Sequence, residues 1–480
     1  MDVALRWLDR CDRHHQGRCW RDEPAPVLPS RVLDLGETPS GKIFVCEPTG
    51  QRGRYICLSY CWGKADFIRS TKGTLQSHMA QGIAIQDLPR TFQDAIRIAR
   101  AFEVQYLWID SLCIIQDSEE DWEKEANGMA EVYSNSYLTI AATQAGNPND
   151  GCFSIRHQAT AEPVYVRHTH HFPNSQSEEN TRLFPLLSRG WAYQERILPP
   201  RVLHFGPDEI VWDYYEERWC ECGANQHYLH ELSKHHFFDC VVNVTARTKV
   251  RTGGSDEQKI QDLWRLIVVQ YTAPSLTEPS DKLHALSGLA KLMSKARNGE
   301  YLAGLWSGSI AADLLWYQEE RSEDGHRNNS RVDAWGAPTW SWASVDGPVM
   351  YPQDLYTSDV LFNLQGHCEV TKAQCEPGRG SSGQRVITGH ITLRCPVSAT
   401  PVKIKSGGGL WCWMDSKRDV VTEELYFGLV ARIGRYEYLL ALEMVDAVSN
   451  KFRRVGLVKW FQEGEEDLPW ALEMRVITII

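Results

Sequence analysis

Trp191 and Glu195 stand four residues apart in RGWAYQERILPP, a spacing that sets an indole and a carboxylate on one face of a helix. The carboxylate could be a catalytic group, or it could pair with Arg189 or Arg196 and simply fix the helix. Asp110 closes the apolar run VQYLWI, where a carboxylate can orient a ligand or cap the following turn. Trp62 and Gly63 end YICLSYCWG. Glycine there would let the backbone come close to a ligand, and a tight turn at a strand end accounts for it equally well. Arg189, next to Gly190, could meet a phosphate or lie on the surface.

Two other chemistries compete with a carboxylate site. Cys61 or Cys113 with His204 would supply a thiol nucleophile and a base. Both cysteines sit in apolar runs, which keep thiols protonated and inert. Cys11, His15 and Cys19 recur at four-residue intervals on a helix and could share a face. A structural zinc needs a fourth ligand, and none is nearby, so local packing is expected and no metal is assigned. The histidines of HTHHFPNSQSEEN read as part of a solvated loop.

The elements around these residues follow from hydrophobic period. YICLSYCWG, VQYLWI and YLTIAAT are short apolar runs rich in β-formers, each predicting a buried strand. Between them, FQDAIRIARAF has Phe92, Ala95, Ile96, Ala99 and Phe102 at helical spacing, and DSEEDW opens a helix with acidic residues where its dipole favours them. Strand, helix, strand, helix, strand predicts an α/β layer with a parallel sheet. Ligands bind such sheets beyond the carboxyl ends of the strands, where Trp62, Gly63, Asp110 and Ser111 would lie. A helix is predicted from about Gly190 to Pro199-Pro200, then strands at VLHFG and EIVWDYY.

Further on, IQDLWRLIVVQY is apolar all round and predicts a buried helix. Asp281 is the expected cap of DKLHALSGLAKLMSKA, and LAGLWSGSIAADLLWYQEE is read as an amphipathic helix. RVITGHITLRC, YEYLLALEMV, RRVGLVKWF and EMRVITII, separated by turn-rich pieces, predict a β-rich C-terminal unit.

At 480 residues the chain exceeds one ordinary core, and its 42% hydrophobic and 24% charged residues are those of a folded protein. A net charge of -11 argues against nucleic acid or an anionic membrane as partner, both of which need a basic footprint. No apolar window has the length of a membrane span, and the N-terminus lacks a secretory core, so a cytoplasmic protein is expected. The 14 cysteines are then read as small buried hydrophobes instead of disulfide partners.

Three segments together resemble the HET (heterokaryon incompatibility) domain of filamentous fungi: LSYCWG at 58–63, LWIDSLCIIQDSEEDW at 107–122 and RGWAYQERILPPRVLHF at 189–205. LPRTFQDAI, MAEVYSNSYLTIAAT and GCF at 151–153 are similar to the family as well, and DKLHALSG and PTWSWASVDG resemble segments that follow the domain in longer members. The resemblance places the HET domain over 51–215, and the hydrophobic pattern sets the expected units around it: a lead-in over 1–50, a helical region packed on the domain over 216–330 and the β-rich unit over 331–480.

The resemblance implies a cell-death effector in vegetative incompatibility and nonself recognition. It also implies a fold like TIR domains, hence a TIR-like or flavodoxin-like parallel sheet. Some TIR domains cleave NAD+ with one glutamate set in a similar WxxxE spacing. Carried over, Glu195 is the first catalytic candidate, with Asp110 beside it. Trp62, Gly63, Ser111, Arg189 and Trp191 are substrate-binding candidates, and NAD+ is a substrate rather than a cofactor. Cleaving a nicotinamide–ribose bond needs a carboxylate to stabilise an oxocarbenium-like transition state, an aromatic wall and a pyrophosphate contact. No Walker loop, ankyrin period or WD repeat accompanies the domain, so a partner protein is expected to supply the trigger, and oligomerisation stays open. Two alternatives to the hydrolase also stay open: a non-enzymatic signalling module, and a tailoring enzyme or accessory protein of a fungal secondary-metabolite pathway.

Overall fold

A computed structural model describes residues 1–14, 24–36, 41–153, 182–215, 217–221, 234, 237, 241, 255–273, 281–318, 336–356, 367–379, 385–402, 410–415, 425–462, 468 and 470–480. The chain divides into two compact units. The first comprises Met1–Asp239 and His284–Leu289, the second Cys240–Leu283 and Ala290–Ile480. No described helix is long and apolar enough to cross a membrane.

The first unit is built on a nine-stranded sheet. In chain order it holds α1 (Asp2–His14), β1 (Val32–Asp34), β2 (Lys42–Cys46), β3 (Tyr55–Ser59), α2 (Leu75–Ala80), β4 (Ile83–Ala84), α3 (Arg90–Ala101) and β5 (Tyr106–Trp108). There follow α4 (Asp110–Cys113), α5 (Glu119–Ser134), β6 (Leu138–Ala141), α6 (Gly190–Ile197), β7 (Arg201–Phe205), β8 (Ile210–Tyr214) and β9 (Arg218–Cys220). The spatial order is β4-β2-β1-β5-β3-β6-β7-β8-β9.

The expected α/β layer is present, but the sheet is mixed instead of parallel throughout. β3 runs parallel to β5 and β6, and β6 parallel to β7. β1, β2 and β4 on one side, and β8 and β9 on the other, join antiparallel. Burial shows the reason. Every residue of β3 and β6 is buried, as in strands covered on both faces, whereas β2 alternates exposed and buried like a strand with one wet face. The flanking strands are short, and β7 returns into β8 across residues 206–209, where the Gly206 amide donates to the Glu209 carbonyl at 3.1 Å, a short connection that antiparallel pairing allows.

Three polar anchors fix the helices. Arg31, itself buried, donates to both carboxylate oxygens of Asp121 in the first turn of α5 and to the Cys113 carbonyl at 2.6 Å. The buried Asp94 of α3 accepts from the Cys152 amide at 3.0 Å, and Thr91 from the Gly151 amide at 3.1 Å. The GCF turn is thus clamped on the helix formed by LPRTFQDAI, and two separated motifs become one structural joint. Finally, Asp12 of α1 pairs with the buried Arg201 at the start of β7.

The second unit contains α7 (Ser255–Thr272), the last turn of the helix α8 (His284–Met293), whose residues His284–Leu289 belong to the first unit, β10 (Tyr301–Leu302), β11 (Leu305–Trp306) and α9 (Ile310–Asp313). A β-rich sheet follows, from β12 (Glu369–Arg379), β13 (Arg385–Ser398), β14 (Leu410–Met414), β15 (Tyr426–Ile433), β16 (Tyr436–Asp446), β17 (Lys451–Phe461) and β18 (Leu472–Ile479). Its order is β12-β13-β15-β16-β17-β14, with β18 pairing β13 and β17. Two local expectations fail here. α8 begins beyond Asp281, with Leu283 in the capping position and no side-chain cap. LAGLWSGSIAADLLWYQEE is not one helix: β10 and β11 form a hairpin through Ala303 and Gly304, both at positive φ. At Gly304 a Cβ would come within 2.6 Å of the Trp342 indole nitrogen, so glycine and the tight turn override the helical period.

Two clusters of buried charges in this unit are paired. Arg454 lies 3.4 Å over the Trp316 ring, donates to Asp415 at 3.2 Å and to the Leu314 carbonyl at 2.7 Å. Asp313 accepts from Arg265 at 3.1 Å and from the Ser309 hydroxyl at 2.6 Å.

Candidate functional site

The carboxyl ends of β3 and β5 and the helix α6 bring the sequence candidates together. β3 runs out through Ser59, Tyr60, Cys61, Trp62 and Gly63, and β5 leads into Asp110 and Ser111. α6 starts beside them because Arg189 donates to the Tyr60 carbonyl. The helix then carries Trp191 and Glu195 and stops before Pro199 and Pro200, which cannot continue it.

Glu195 points into the sheet. Its carboxylate accepts from the Ser59 hydroxyl at 2.5 Å and lies near the Tyr133 hydroxyl, which donates to the Leu58 carbonyl at 3.3 Å, and the residue is 6% exposed. Burial, and secondarily the negative charge of Asp110, push its pKa up from 4.5 to about 7, against the opposing pull of Arg189, Ser59 and Tyr133. The pairing with Arg189 or Arg196 gives way to the Ser59 hydroxyl.

Asp110 is half-buried and also titrates above its usual range, raised by burial against the pull of Trp62, Tyr60 and Arg189. The Trp62 indole donates to it at 2.9 Å, and the Ser111 amide to its other oxygen at 2.6 Å. It therefore holds the Trp62 indole and the Ser111 amide at once. Ser111 is buried and accepts from the Tyr60 hydroxyl at 2.9 Å. Gly63 has φ +59, and a Cβ on it would meet Asn147 at 2.8 Å and the Gly146 carbonyl at 2.9 Å. A turn against the 146–147 loop thus explains this glycine. Trp191 is half-buried and meets Trp122 of α5 edge to face at 6.4 Å.

Glu195, Asp110, Trp62 and Arg189 therefore share one region. Sequence reasoning missed Ser59, Tyr133 and Trp122. Ser59 sits in an all-buried strand where every neighbour is apolar or aromatic, and a lone hydroxyl there was the available signal. Tyr133 and Trp122 look like ordinary helix-face residues until α5 is packed against α6.

The alternative chemistries do less well. Burial pushes Cys61 up to about 11 and Cys113 higher still, so both thiols stay protonated at neutral pH. Burial drives His204 well below its usual value, and its Nδ1 lies 3.0 Å from the Thr143 hydroxyl. Of the metal candidates, Cys11 is buried and in contact with Arg201, while His15 and Cys19 lie outside the described residues, as does the HTHHFPNSQSEEN stretch. The all-thiol expectation fails at Cys220, which is disulfide-bonded.

Comparison with curated proteins and with solved structures produced no match. Residues 55–195, from the first residue of β3 to Glu195, match the family model described as Heterokaryon incompatibility protein (HET), so this segment of the chain is identified as a HET domain.

Proposed function

We propose that the HET domain hydrolyses the nicotinamide–ribose bond of NAD+ or a related nucleotide, with Glu195 as its catalytic carboxylate. The proposed setting is fungal vegetative incompatibility and programmed cell death in the cytoplasm, triggered by a partner protein. The observation in favour is the position of Glu195: a carboxyl raised to about 7 stands among Ser59, Tyr133 and Asp110 at the carboxyl ends of parallel strands. Ionised, it would stabilise positive charge developing on the ribose; Arg189 would meet the pyrophosphate, and the indoles of Trp62, Trp122 and Trp191 would flank the base. The similarity of the Trp191–Glu195 spacing to that of nucleotide-cleaving TIR domains supports the same reading.

The test is nicotinamide release from NAD+ by the purified full chain. Release that Glu195→Ala abolishes, with the melting temperature retained, supports the hydrolase; undiminished release in that variant overturns it. The near-complete burial of Glu195 favours a second reading, in which the Ser59–Glu195 contact is purely structural and the domain signals by binding partners. Under that reading no nicotinamide appears, and toxicity on overexpression survives Glu195→Gln.

A further inference from the structure

In the second unit, two thiols face each other across an antiparallel ladder. β12 pairs with β13 so that Glu369 stands opposite Arg394, and one step along this register sets Cys368 opposite Cys395. The two sulfurs are near enough for Cys368 to raise the pKa of Cys395, and both are free thiols. Directly opposed residues in such a ladder have Cα atoms about 4.5–5.5 Å apart, within the roughly 4.4–6.8 Å that a disulfide spans. Cys375, farther along β12, faces Gly389 and has no thiol opposite it. β12 stands at the end of the sheet order, held on its inner side by β13. Edge strands detach more readily than central ones, because one row of backbone groups is unpaired.

We infer that Cys368 and Cys395 form a reversible redox pair, closing to a cross-strand disulfide that fastens the edge strand β12 to β13. Cys368 is half-buried and Cys395 fully buried, so a peroxide reaches Cys368 first. The Cys368 sulfur takes one peroxide oxygen as a sulfenic acid, and the other oxygen leaves as water. The Cys395 sulfur then attacks the Cys368 sulfur, displacing hydroxide, which leaves as water with the Cys395 proton. Two thiols and one peroxide thus give one disulfide and two waters, and a dithiol reductant reverses the step. Burial and the neighbouring sulfur hold the Cys395 thiol far above its ordinary titration range, so closure is slow compared with that of an exposed pair.

The experiment is peptide mapping of the full chain before and after hydrogen peroxide, without reduction and with alkylation of remaining thiols. The expected result is a Cys368–Cys395 linked peptide about 2 Da lighter than its two thiol halves, lost again on treatment with dithiothreitol. Cys368→Ser should remove the link and leave Cys395 alkylatable after unfolding. Because Cys395 is buried, the half-buried Cys368 is the position to vary, and Cys375→Ser serves as a control that keeps the link. Full alkylation of both cysteines after peroxide, or linkage of Cys395 to Cys375 or another cysteine, overturns the proposal.

Discussion

The Ser59 hydroxyl donates to the Glu195 carboxylate at 2.5 Å, joining the end of a central strand to a helix 136 residues away. The contact is buried on both sides, so its loss is not made good by water. Ser59→Ala should therefore cost about 1–3 kcal/mol of stability. Because that hydrogen bond favours the ionised carboxylate, the same substitution should move the Glu195 titration midpoint upward from about 7. Carbon-detected NMR of labelled glutamate reads the midpoint. A downward move would show that the hydroxyl stabilises the protonated form instead.

Glu195 makes the stability of the fold depend on pH in a defined direction. Its folded pKa of about 7 exceeds the ordinary 4.5, so the folded state holds the proton more tightly than the unfolded chain. The resulting stability is complete below about 4.5 and lost as pH rises through about 7. Glu195→Gln cannot ionise, so the variant should gain on the parent by up to about 3 kcal/mol between pH 4.5 and pH 8. Urea unfolding at a series of pH values checks this; a parent-to-variant difference that is flat with pH contradicts it.

Gly63→Ala should destabilise the first unit by about 1–3 kcal/mol, because φ +59 is strained for alanine and the new methyl meets the Gly146–Asn147 backbone. A thermal melt measures the loss. If the glycine served only ligand approach, the melt would be unchanged and nucleotide binding alone would weaken.

Arg454 in the second unit tests a buried pair. Arg454→Met removes the guanidinium that pairs with the buried Asp415 carboxylate, and should cost about 3–5 kcal/mol in denaturant unfolding. Asp415→Asn removes the carboxylate and leaves the arginine its contacts with the Leu314 carbonyl and the Trp316 ring, so it should cost less. The double variant should lose less than the sum of the two single losses, since the pair is then removed as a whole.

Much of the first unit was legible along the chain. The runs containing β3, β5 and β6 are uniformly apolar because these strands are covered on both faces, and α3 shows helical spacing because one side alone is buried. The antiparallel flanks were less legible: Ile83–Ala84 or Val32–Asp34 is too short to carry a period, and direction depends on which neighbour it meets. The hairpin at 301–306 was misread because apolar positions near helical spacing outweighed Gly304, whose requirement comes from Trp342, far along the chain.

The linear order of residues determined the element types in the central layer and the β-rich character of the end, since both follow from local period and turn chemistry. It also determined which residues were candidates, through the Trp191–Glu195 spacing and the acid that ends β5. Folding alone decided that Glu195 meets Ser59 and Tyr133 instead of an arginine, that Asp110 holds Trp62, and that Trp122 stands against Trp191. Those contacts join elements distant in sequence, and their effect on a carboxyl group comes from desolvation, a property of the packed interior that no stretch of chain possesses alone.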